Sequence, residues 1–569
     1  MTPDLDFRNV SFQYEGASSP ALRDIQLTID PGGIVLVTGP AGAGKTTLCS
    51  CANGLVPHYH EGQLSGEVLV RGYSTARTRI GGLSSLVGLV FQDPESQLVA
   101  ASVADEVAFG PENLGVERAE IVRRLAEALQ VTRLAGFDER DPHSLSGGEQ
   151  QACVIAAIYA MHPEIYVMDE PLANLDPAGR AHVFRVMVEV AKRRAKSLLL
   201  VEHSLEEVLP LVDRVVVLAG GEIVRNGSVP EVLAAGDLPG AFTRPALARL
   251  AEQLDLRPLP LSPEAFVQQL TQRYRLPERS SVPMPALPRP SGQPVVELEG
   301  LEYSYDGRNP ALRGVDLTIH EGEMLGILGR NGAGKTSLIK HLIGLLQPDR
   351  GRVSVLGQDV AHTPTHTLAR QVGFCFQNPN HQLVAFKVRD EIAFGLRAHD
   401  VDPAEFEPRT REALESVGMS GSEEAQIFDL GKGQRQRLAL ASVLALRPRI
   451  LVIDEPTTGQ DPTMAREIFD ILQSLNGQGT TVIVVTHKVD LAAAYCSRAV
   501  VLAEGRIAFD GSFPELLSDP ELMRRLSLEP PETTRLAALL TPYGVPPWIS
   551  TFDQLSEALR TLVEPTDGD

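Results

Sequence analysis

The sequence predicts an α/β protein built from two related domains, and three observations support that prediction. The phosphate-binding pattern G-x-x-x-x-G-K-[ST] occurs twice, at residues 39–47 and 329–337. Each copy follows a short apolar run of strand length, at residues 34–37 and 324–328. Further apolar runs alternate with helical stretches, which is typical of a parallel sheet covered by helices on both faces.

The two halves form an internal repeat that covers nearly the whole sequence. Matching residues lie 284 to 291 positions apart: Tyr14 and Tyr305, Lys45 and Lys335, Gln92 and Gln377, Leu145 and Leu430, Asp169 and Asp454, and His203 and His487. This repeat predicts nucleotide-binding domains at residues 1–242 and 295–531. Residues 243–275 and 532–569 are predicted helical appendages, which either pack on their own domain or dock the halves together. Residues 276–294, rich in proline and serine, are a predicted extended linker.

Composition narrows the class of protein. The chain has 569 residues, 43% of them hydrophobic, and a formal net charge of −21. This acidic balance disfavours a nucleic acid as the main partner, because a binder of phosphate backbones normally carries a basic face. The five cysteines show no metal-binding spacing and are predicted to be buried in a reducing compartment. We expect no signal peptide and no membrane span, since no apolar run approaches the about 20 residues that a span needs.

The two loops predict contacts to nucleotide phosphates. Glycines let the backbone turn tightly so that its N–H groups point at phosphate oxygens, and the following helix adds the positive end of its dipole. Lys45 and Lys335 are predicted to reach the β- and γ-phosphates, and Thr46 and Thr336 to hold Mg²⁺. The predicted contacts are Gly39, Pro40, Ala41, Gly42, Ala43, Gly44, Lys45, Thr46 and Thr47, and Gly329, Arg330, Asn331, Gly332, Ala333, Gly334, Lys335, Thr336 and Ser337.

An apolar strand ends in two adjacent acids in each half. Asp169 and Glu170 follow residues 165–168, and Asp454 and Glu455 follow residues 450–453. A carboxylate that a buried strand delivers beside a phosphate loop can position Mg²⁺, and the next carboxylate can polarise the attacking water as a general base. We therefore predict the aspartates as metal ligands and the glutamates as catalytic residues. The competing explanation is that each acid pair is only a solvated strand end. We favour the functional explanation because a phosphate loop precedes each pair.

Three further pairs complete the predicted sites: Tyr14 and Tyr305, Gln92 and Gln377, and His203 and His487. The histidines end the next apolar strands and are predicted catalytic sensors of the γ-phosphate, although an isolated histidine is more often structural. The glutamines follow strands and are placed to touch Mg²⁺ or the attacking water. The tyrosines follow the first strand of each half, where stacking on a nucleotide base is favoured over plain packing in the sheet.

The segment Leu145-Ser146-Gly147-Gly148-Glu149 resembles the Leu-Ser-Gly-Gly-Gln signature of the ATPase subunits of ABC transporters, and this resemblance covers nearly the whole chain. Residues 174–177 and 459–462 resemble that family's D-loop. The resemblance implies ATP and Mg²⁺ as cofactors. It also implies two P-loop NTPase domains, each with a mixed or parallel sheet core, an antiparallel edge sheet and a helical signature subdomain. Finally, it implies an intramolecular head-to-tail ATPase dimer in which each ATP lies between one phosphate loop and the opposite signature.

The second signature departs from the family pattern and reads Leu430-Gly431-Lys432-Gly433-Gln434. Gly431 removes the serine hydroxyl, and Lys432 places a long cation where a small residue normally allows close approach. In the expected dimer, this segment faces the first phosphate loop. We therefore expect the site that contains Glu170 to hydrolyse ATP more slowly than the site that contains Glu455. Full inactivity is not implied, because both glutamates are present and Lys432 could itself hold the γ-phosphate.

The stretches at residues 91–110 and 376–395 share the pattern Phe-Gln-x-Pro-x-x-Gln-Leu-Val and resemble ATPases of energy-coupling factor (ECF) transporters. That resemblance implies import of a vitamin or transition-metal ion through separate membrane subunits, a transmembrane T subunit and a substrate-binding S subunit. It places the chain at the cytoplasmic face of the cell membrane as a peripheral protein. In that family, the region after the glutamines lies beside the groove for the T subunit. The acids at 105–106 and 390–391 could also be ordinary surface acids.

Two alternative functions share the nucleotide-binding core. One is a soluble ABC protein that acts on ribosomes, for which a long charged linker between the halves would be expected. The other is the duplicated ATPase of a sugar importer, which shares the reaction but lacks the Gln-Leu-Val-Ala stretch found here at residues 97–100 and 382–385.

Overall fold

The computed structural model describes residues 2–173, 175, 177–194, 196–203, 205–235, 244–276, 284, 292–305, 307–457 and 460–563. The chain divides into two compact units, Met1–Leu261 and Ser262–Asp569. Each unit contains one phosphate-binding loop, and each is an α/β domain, as the sequence predicts.

The first unit contains ten strands and ten α-helices in its described part. The strands are β1 (Leu5–Tyr14), β2 (Leu22–Ile29), β3 (Ile34–Thr38), β4 (Gly62–Val70), β5 (Tyr73–Ser74), β6 (Val87–Val90), β7 (Ile165–Asp169), β8 (Ser197–Val201), β9 (Arg214–Ala219) and β10 (Glu222–Ser228). The helices are α1 (Lys45–Asn53), α2 (Leu55–His58), α3 (Ile80–Leu83), α4 (Val103–Asn113), α5 (Arg118–Val131), α6 (Gly147–Ala160), α7 (Pro177–Arg194), α8 (Leu205–Val208), α9 (Val229–Ala234) and α10 (Ala246–Gln253).

Two sheets organise the first unit. An antiparallel sheet has the strand order β2-β1-β4-β5, and a six-stranded sheet has the order β10-β9-β3-β8-β7-β6, in which only β10 is antiparallel. The central strands β7 and β8 are buried along their whole length because helices or the other sheet cover both faces. Helices α4, α5 and α6 pack on one another as a helical subdomain. Because β3, β7 and β8 run parallel, their carboxyl ends meet at the same edge of the sheet. Ligands bind at this edge in parallel sheets.

The second unit repeats this plan. Its strands are β11 (Pro294–Ser304), β12 (Pro310–His320), β13 (Met324–Leu328), β14 (Arg350–Val355), β15 (Gln358–Asp359), β16 (Val372–Cys375), β17 (Ile450–Asp454), β18 (Thr481–Val485), β19 (Arg498–Ala503) and β20 (Arg506–Ser512). Its helices are α11 (Pro263–Arg273), α12 (Lys335–Leu342), α13 (Thr365–Leu368), α14 (Val388–Ala398), α15 (Phe406–Ser416), α16 (Lys432–Leu444), α17 (Pro462–Gly477), α18 (Val489–Tyr495), α19 (Phe513–Leu517), α20 (Pro520–Arg525), α21 (Glu532–Leu539) and α22 (Phe552–Val563). The sheet orders are β12-β11-β14-β15 and β16-β17-β18-β13-β19-β20.

The structure locates the largest of the length differences between the matched residues of the two halves. Gly66 and Gly351 occupy the same position: each has a positive φ, 79° and 83°, and a Cβ there would lie 2.2 or 2.3 Å from a carbonyl oxygen of the facing strand. The offset between the halves is 290 at Gly54 and Gly344, but 285 at Gly66 and Gly351. The first unit therefore carries five extra residues in the segment 55–65, which contains α2 and the first residues of β4.

The five cysteines are all buried and none is in a disulfide. Burial raises the pKa of Cys51, Cys153, Cys375 and Cys496 to about 12, so these thiols stay protonated and behave as small apolar side chains. Among the helices that the structure describes, none has the length and apolarity needed to span a bilayer.

The segment predicted as the first appendage is divided between the two units. Helix α10 belongs to the first unit, whereas α11 belongs to the second and packs against α21. Phe266 and Leu270 lie on the buried face of α11. Helix α21 is also fixed to the following loop, since Thr533 and Thr534 donate hydrogen bonds to the carbonyl oxygens of residues 550 and 549, both at 2.7 Å. A helix from before the linker is thus part of the second compact unit.

Replacing Phe266 with alanine is expected to loosen this packing. Removing a fully buried phenylalanine typically lowers the free energy of unfolding by about 3–5 kcal/mol. Urea unfolding of the Phe266→Ala variant, followed by circular dichroism, should show the loss in the transition of the second unit. Gln272→Ala, on the exposed side of the same helix, is the matched control. Equal stability of both variants would contradict a packing role for α11.

Candidate active site

The phosphate-binding loops adopt a backbone that only glycine fits at two positions. Gly39 and Gly44 have positive φ angles of 147° and 99°. A Cβ at Gly39 would lie 2.0 Å from a carbonyl oxygen of β9, and one at Gly44 would lie 2.4 Å from that of Ala21. The second loop has the same two constraints at Gly329 and Gly334. Strand β9 and the segment before β2 thus hold the first loop in shape.

The loop lysines lie inside their own loops. Lys45 Nζ donates hydrogen bonds to the carbonyl oxygens of Gly39 and Pro40 at 3.1 and 3.0 Å. Lys335 Nζ makes the equivalent bonds at 2.7 and 3.0 Å. Both ammonium groups are buried at the start of the helix, where they add positive charge to an anion-binding loop.

A buried aspartate ends the strand beside each loop. Burial, more than any other cause, raises the pKa of Asp169 and of Asp454 to about 6, and the neighbouring glutamates add to the rise. Thr336 Oγ1 donates to Asp454 Oδ2 at 2.9 Å. Asp169 Oδ1 is buried without a hydrogen-bond partner. A hydroxyl and a desolvated carboxylate next to a phosphate loop fit Mg²⁺, a hard cation that prefers oxygen ligands and lowers the pKa of a nearby acid.

The glutamate after each aspartate has an uncommon backbone conformation. Glu170 and Glu455 have φ angles of 49° and 48°, and their N–H groups donate to Val201 and Val485 carbonyl oxygens at 3.0 and 2.8 Å. Positive φ is rare for a residue with a long side chain and is maintained only where the surroundings enforce it. Here it turns the chain directly after the buried strand, so that adjacent carboxylates serve one site.

Polar groups converge on each of these glutamates. In the first unit, Gln92 Nε2 donates to Glu170 Oε2 at 2.9 Å, and His203 Nε2 lies 2.8 Å from Glu170 Oε1. In the second unit, His487 Nδ1 lies 2.9 Å from Glu455 Oε2. The structure therefore brings together the predicted catalytic glutamate and histidine in both units.

Electrostatics keep Glu455 ionised. Burial alone would raise the pKa of this carboxyl, but the facing His487 and the nearby Lys335 outweigh burial and hold the pKa below its usual value. An ionised carboxylate can accept a proton from a water molecule, which is what a general base requires.

In the second unit, most of the predicted site residues line one cavity of about 240 Å³, whereas His487 and the loop residues Gly329, Arg330 and Ala333 are not part of its lining. Its lining includes Tyr305, Asn331, Gly332, Gly334, Lys335, Thr336, Ser337, Gln377, Asp454 and Glu455. The tyrosine is fixed to the start of the phosphate-loop helix, since Tyr305 Oη and Ser337 Oγ are 3.1 Å apart. In the first unit, Tyr14 Oη and Thr47 Oγ1 are 3.0 Å apart in the same way.

The signature residues lie elsewhere, at the start of α6 and α16. Ser146 caps the start of α6, and both its N–H group and its hydroxyl donate to Glu149 Oε2, at 2.9 and 2.7 Å. At the matching place, Gly431 N donates to Gln434 Oε1 at 3.1 Å, and the exposed Lys432 begins α16. Residues 431–433 do not line the cavity of their own unit.

Glycine at the fourth signature position allows close helix packing in both units. A Cβ at Gly148 would lie 2.8 Å from the Gly179 Cα atom, and one at Gly433 would lie 2.1 Å from Met464 Cε. In the D-loops, Asp461 caps α17, since its Oδ1 accepts from the N–H groups of residues 463 and 464. The predicted D-loop residues Asn174, Asp176 and Gly459 lie outside the described residues.

Sequence reasoning missed a pair of buried glutamates behind the glutamine loops. Glu106 Oε2 accepts from the N–H groups of Val99 and Ala100, both at 2.8 Å, and Glu391 makes the same two bonds to residues 384 and 385. Both glutamates are buried, so they are not ordinary surface acids, whereas the preceding Asp105 is exposed. The only signal in the sequence was the recurrence of Asp-Glu at the same distance from the glutamine.

Fold and site together define a phosphate-loop nucleoside triphosphatase with two nucleotide-binding domains. A family model described as ABC transporter matches residues 22–173 and 312–458. An ABC transporter ATP-binding protein of Caldanaerobacter subterraneus subsp. tengcongensis is 37% identical over 549 residues, 93% of this chain and 95% of the relative. An ABC transporter ATP-binding protein of Methanosarcina acetivorans is 37% identical over 587 residues, which cover 98% of this chain and 94% of the relative. CbiO1 from Clostridium perfringens, part of the ABC transporter complex CbiONQ, is 31% identical, with a TM-score of 0.38, over 41% of this chain and 94% of its own.

The chain belongs to the ABC transporter family and is a fused pair of its ATPase domains. Such domains bind ATP, generally with Mg²⁺, hydrolyse it, and work with membrane partners. Both relatives match this chain over more than nine-tenths of their own length.

Replacing Glu391 with alanine is expected to destabilise the loop after Gln377. Two backbone N–H groups would lose a charged acceptor, so we expect the free energy of unfolding to fall by about 3 kcal/mol. Asp390→Ala, at the exposed neighbouring position, serves as the control. Thermal unfolding of both variants measures the difference, and an unchanged Glu391→Ala variant would show that these bonds contribute nothing.

Proposed function

We propose that this chain is the energy-coupling ATPase of an ECF-type transporter, which powers import of a vitamin or transition-metal ion. The chain binds a T subunit, which holds an S subunit, at the cytoplasmic face of the membrane. Its two ATPase domains pair with each other and use Mg²⁺-ATP. The observation that carries this proposal is an exposed apolar patch beside the glutamine loop, which is larger in the second unit.

The patch of the second unit consists of Val384, Phe386, Phe394 and Phe428. Phe386 and Phe428 are 75% and 74% exposed, and their ring centroids are 6.2 Å apart. The backbone joins these two segments, because Ile427 N donates to the carbonyl oxygen of Phe386 at 2.9 Å. Exposed aromatic side chains clustered on a rigid surface are typical of protein interaction sites.

The first unit has a smaller version of the same patch. Val99 and Phe109 are exposed there, but Ala101 and His143 stand where the second unit has Phe386 and Phe428. Both patches follow the glutamine that reaches into the ATP site, so a partner seated on them could transmit movement to the nucleotide. The difference between them suits a membrane partner that contacts the two units with two different segments.

The proposed chemistry uses the site residues in three roles. The phosphates are bound by the loop backbone together with Lys45 and Lys335. Mg²⁺ would stabilise charge on the phosphoryl oxygens, and six side chains hold it: Thr46, Thr336, Asp169, Asp454, Gln92 and Gln377. Glu170 and Glu455 orient the attacking water and accept its proton. His203 and His487 position these carboxylates, and Tyr14 and Tyr305 stack on the base.

The two sites are proposed to differ in hydrolysis. In the proposed pairing, Ser146, Gly147 and Gly148 complete the site that contains Glu455, and Gly431, Lys432 and Gly433 complete the site that contains Glu170. Ser146 supplies a hydroxyl at a helix start, which a glycine cannot do. The site that contains Glu455 therefore performs most of the turnover.

Steady-state phosphate release from two single variants tests this asymmetry. Loss of a general base typically lowers the rate about 100-fold or more, so Glu455→Gln should remove most of the activity. Glu170→Gln should lower it about twofold or less. Retained ATP binding in both variants is the control. A larger loss in Glu170→Gln than in Glu455→Gln would disprove the proposed assignment.

Pull-down from membranes of the source organism tests the proposed partner. The double variant Phe386→Ser, Phe428→Ser should retain ATPase activity but recover at least about tenfold less of the T and S subunits, since central aromatic anchors carry most of an interface's affinity. Val122→Ser, at an exposed apolar position outside the patch, is the matched control. Recovery of ribosomes, or of an importer with a separate soluble binding protein, would replace the ECF assignment.

A further inference from the structure

The five extra residues of the first unit lie beside its proposed base-binding tyrosine. Their segment, residues 55–65, leads from α1 into β4, and β4 pairs with β1 so that Gly62 is opposite Tyr14. A Cβ at Gly62 would lie 2.3 Å from the carbonyl oxygen of Gln13 and 2.7 Å from the Phe12 ring. The segment therefore approaches the end of β1 as closely as a backbone can.

Hydrogen bonds fix this segment in place. Leu55 O accepts from the N–H groups of Tyr59 and His60, at 2.8 and 2.9 Å. The His58 Nε2 atom lies 2.8 Å from the Thr75 carbonyl oxygen, which anchors the turn to the strand after β4. The N–H group of residue 15 donates to the carbonyl oxygen of residue 61 at 3.1 Å, directly after Tyr14. These bonds hold the two aromatic residues in one arrangement.

Three aromatic rings form a continuous row at this position. The ring centroids of Tyr14 and His60 are 5.9 Å apart at an interplanar angle of 78°, and those of His60 and Tyr59 are 5.3 Å apart at 84°. Tyr59 is 73% exposed, so the row that starts at Tyr14 ends at the solvent. Large exposed aromatic surface held by a fixed backbone is unusual unless a ligand or partner covers it.

Among the described residues of the second unit, the aromatic row at Tyr305 runs inward instead, through Tyr303 to the buried His341, with 5.0 Å between the centroids of each successive pair. Its corresponding turn, residues 345–350, contains no aromatic residue, and Tyr305 is 62% exposed, whereas Tyr14 is only partly exposed. The ring under each tyrosine is conserved within the repeat: Phe12 lies 4.8 Å from Tyr14, and Tyr303 lies 5.0 Å from Tyr305. The two units thus differ in the residues on the exposed side of the tyrosine, and both place one aromatic ring against its other side.

We propose that Tyr59 and His60 form a second aromatic wall of the nucleobase site in the first unit. A purine stacked on Tyr14 also meets the adjoining His60 ring, which stands at 78° to the tyrosine ring, whereas Tyr305 has no aromatic neighbour in its corresponding turn. The first unit therefore binds the base of a nucleotide more tightly than the second unit does. This inference rests on the proposed role of Tyr14 in base binding.

Equilibrium dialysis with radiolabelled ATP tests the wall in the full chain. A Lys335→Ala background restricts tight binding to the first unit. In that background, His60→Ala and Tyr59→Ala should each raise the Kd for ATP about tenfold, in the range expected for loss of one base-stacking ring. Competition by tripolyphosphate, which has no base, should give an unchanged Kd, because the phosphate loop is intact.

Three controls separate this inference from the others. Tyr73→Ala removes an exposed tyrosine at the far end of β4 and should leave the Kd for ATP unchanged. Tyr14→Ala should raise it; no effect would disprove the base-binding role of that tyrosine itself. In a Lys45→Ala background, which reports the second unit, His60→Ala should change nothing. Two results would disprove the wall. In the first, Tyr14→Ala weakens ATP binding while the His60 and Tyr59 variants bind ATP normally or more tightly. In the second, the His60 and Tyr59 variants lower the affinity for tripolyphosphate as much as the affinity for ATP.

Discussion

The rest of the structure depends on placing adjacent carboxylates in a buried position beside a phosphate loop. Burial disfavours their charge, as the raised pKa of Asp169 and Asp454 shows. The fold offsets this cost by surrounding the second carboxylate with a lysine and a histidine, so that the pKa of Glu455 stays low. In both units one strand, β8 or β18, separates the strand that ends in the acids from the strand that leads into the loop, and that middle strand leads to the histidine.

The repeated core was predictable because its constraints are local. Glycines at positive φ, continuous apolar strands and acids at strand ends each leave a pattern that a single sequence displays. Burial of one acid and exposure of its neighbour leave no such pattern: Asp105 and Glu106 read alike in sequence, and only the fold turns Glu106 towards two N–H groups. For the same reason, the sequence showed that the two halves differ by five residues but not that the difference lies beside Tyr14.

The two halves differ mainly at surfaces that face solvent, a ligand or a partner. The strands and loops that form the cavity are nearly the same, whereas the signature start, the exposed patch and the turn before β4 or β14 differ. A buried core tolerates little change in volume, so duplicated domains diverge where side chains face solvent, ligand or partner. Lys432 and Phe428 are in that class, and each replaces a residue of a different chemical type in the other half; His60 lies in the segment that carries the five extra residues of the first unit.

Two of these differences bear on one ATP site. In the proposed pairing, the first phosphate loop receives the altered signature, and the same unit carries the extra aromatic wall. A weaker contact to the γ-phosphate lowers hydrolysis, while an added contact to the base strengthens binding equally before and after hydrolysis, since the base does not change in the reaction. Such a site retains its nucleotide and turns over slowly. The other site keeps the serine signature and an open tyrosine, which favours fast exchange. In the proposed pairing, retention at one site would hold the two ATPase domains together while the other site cycles.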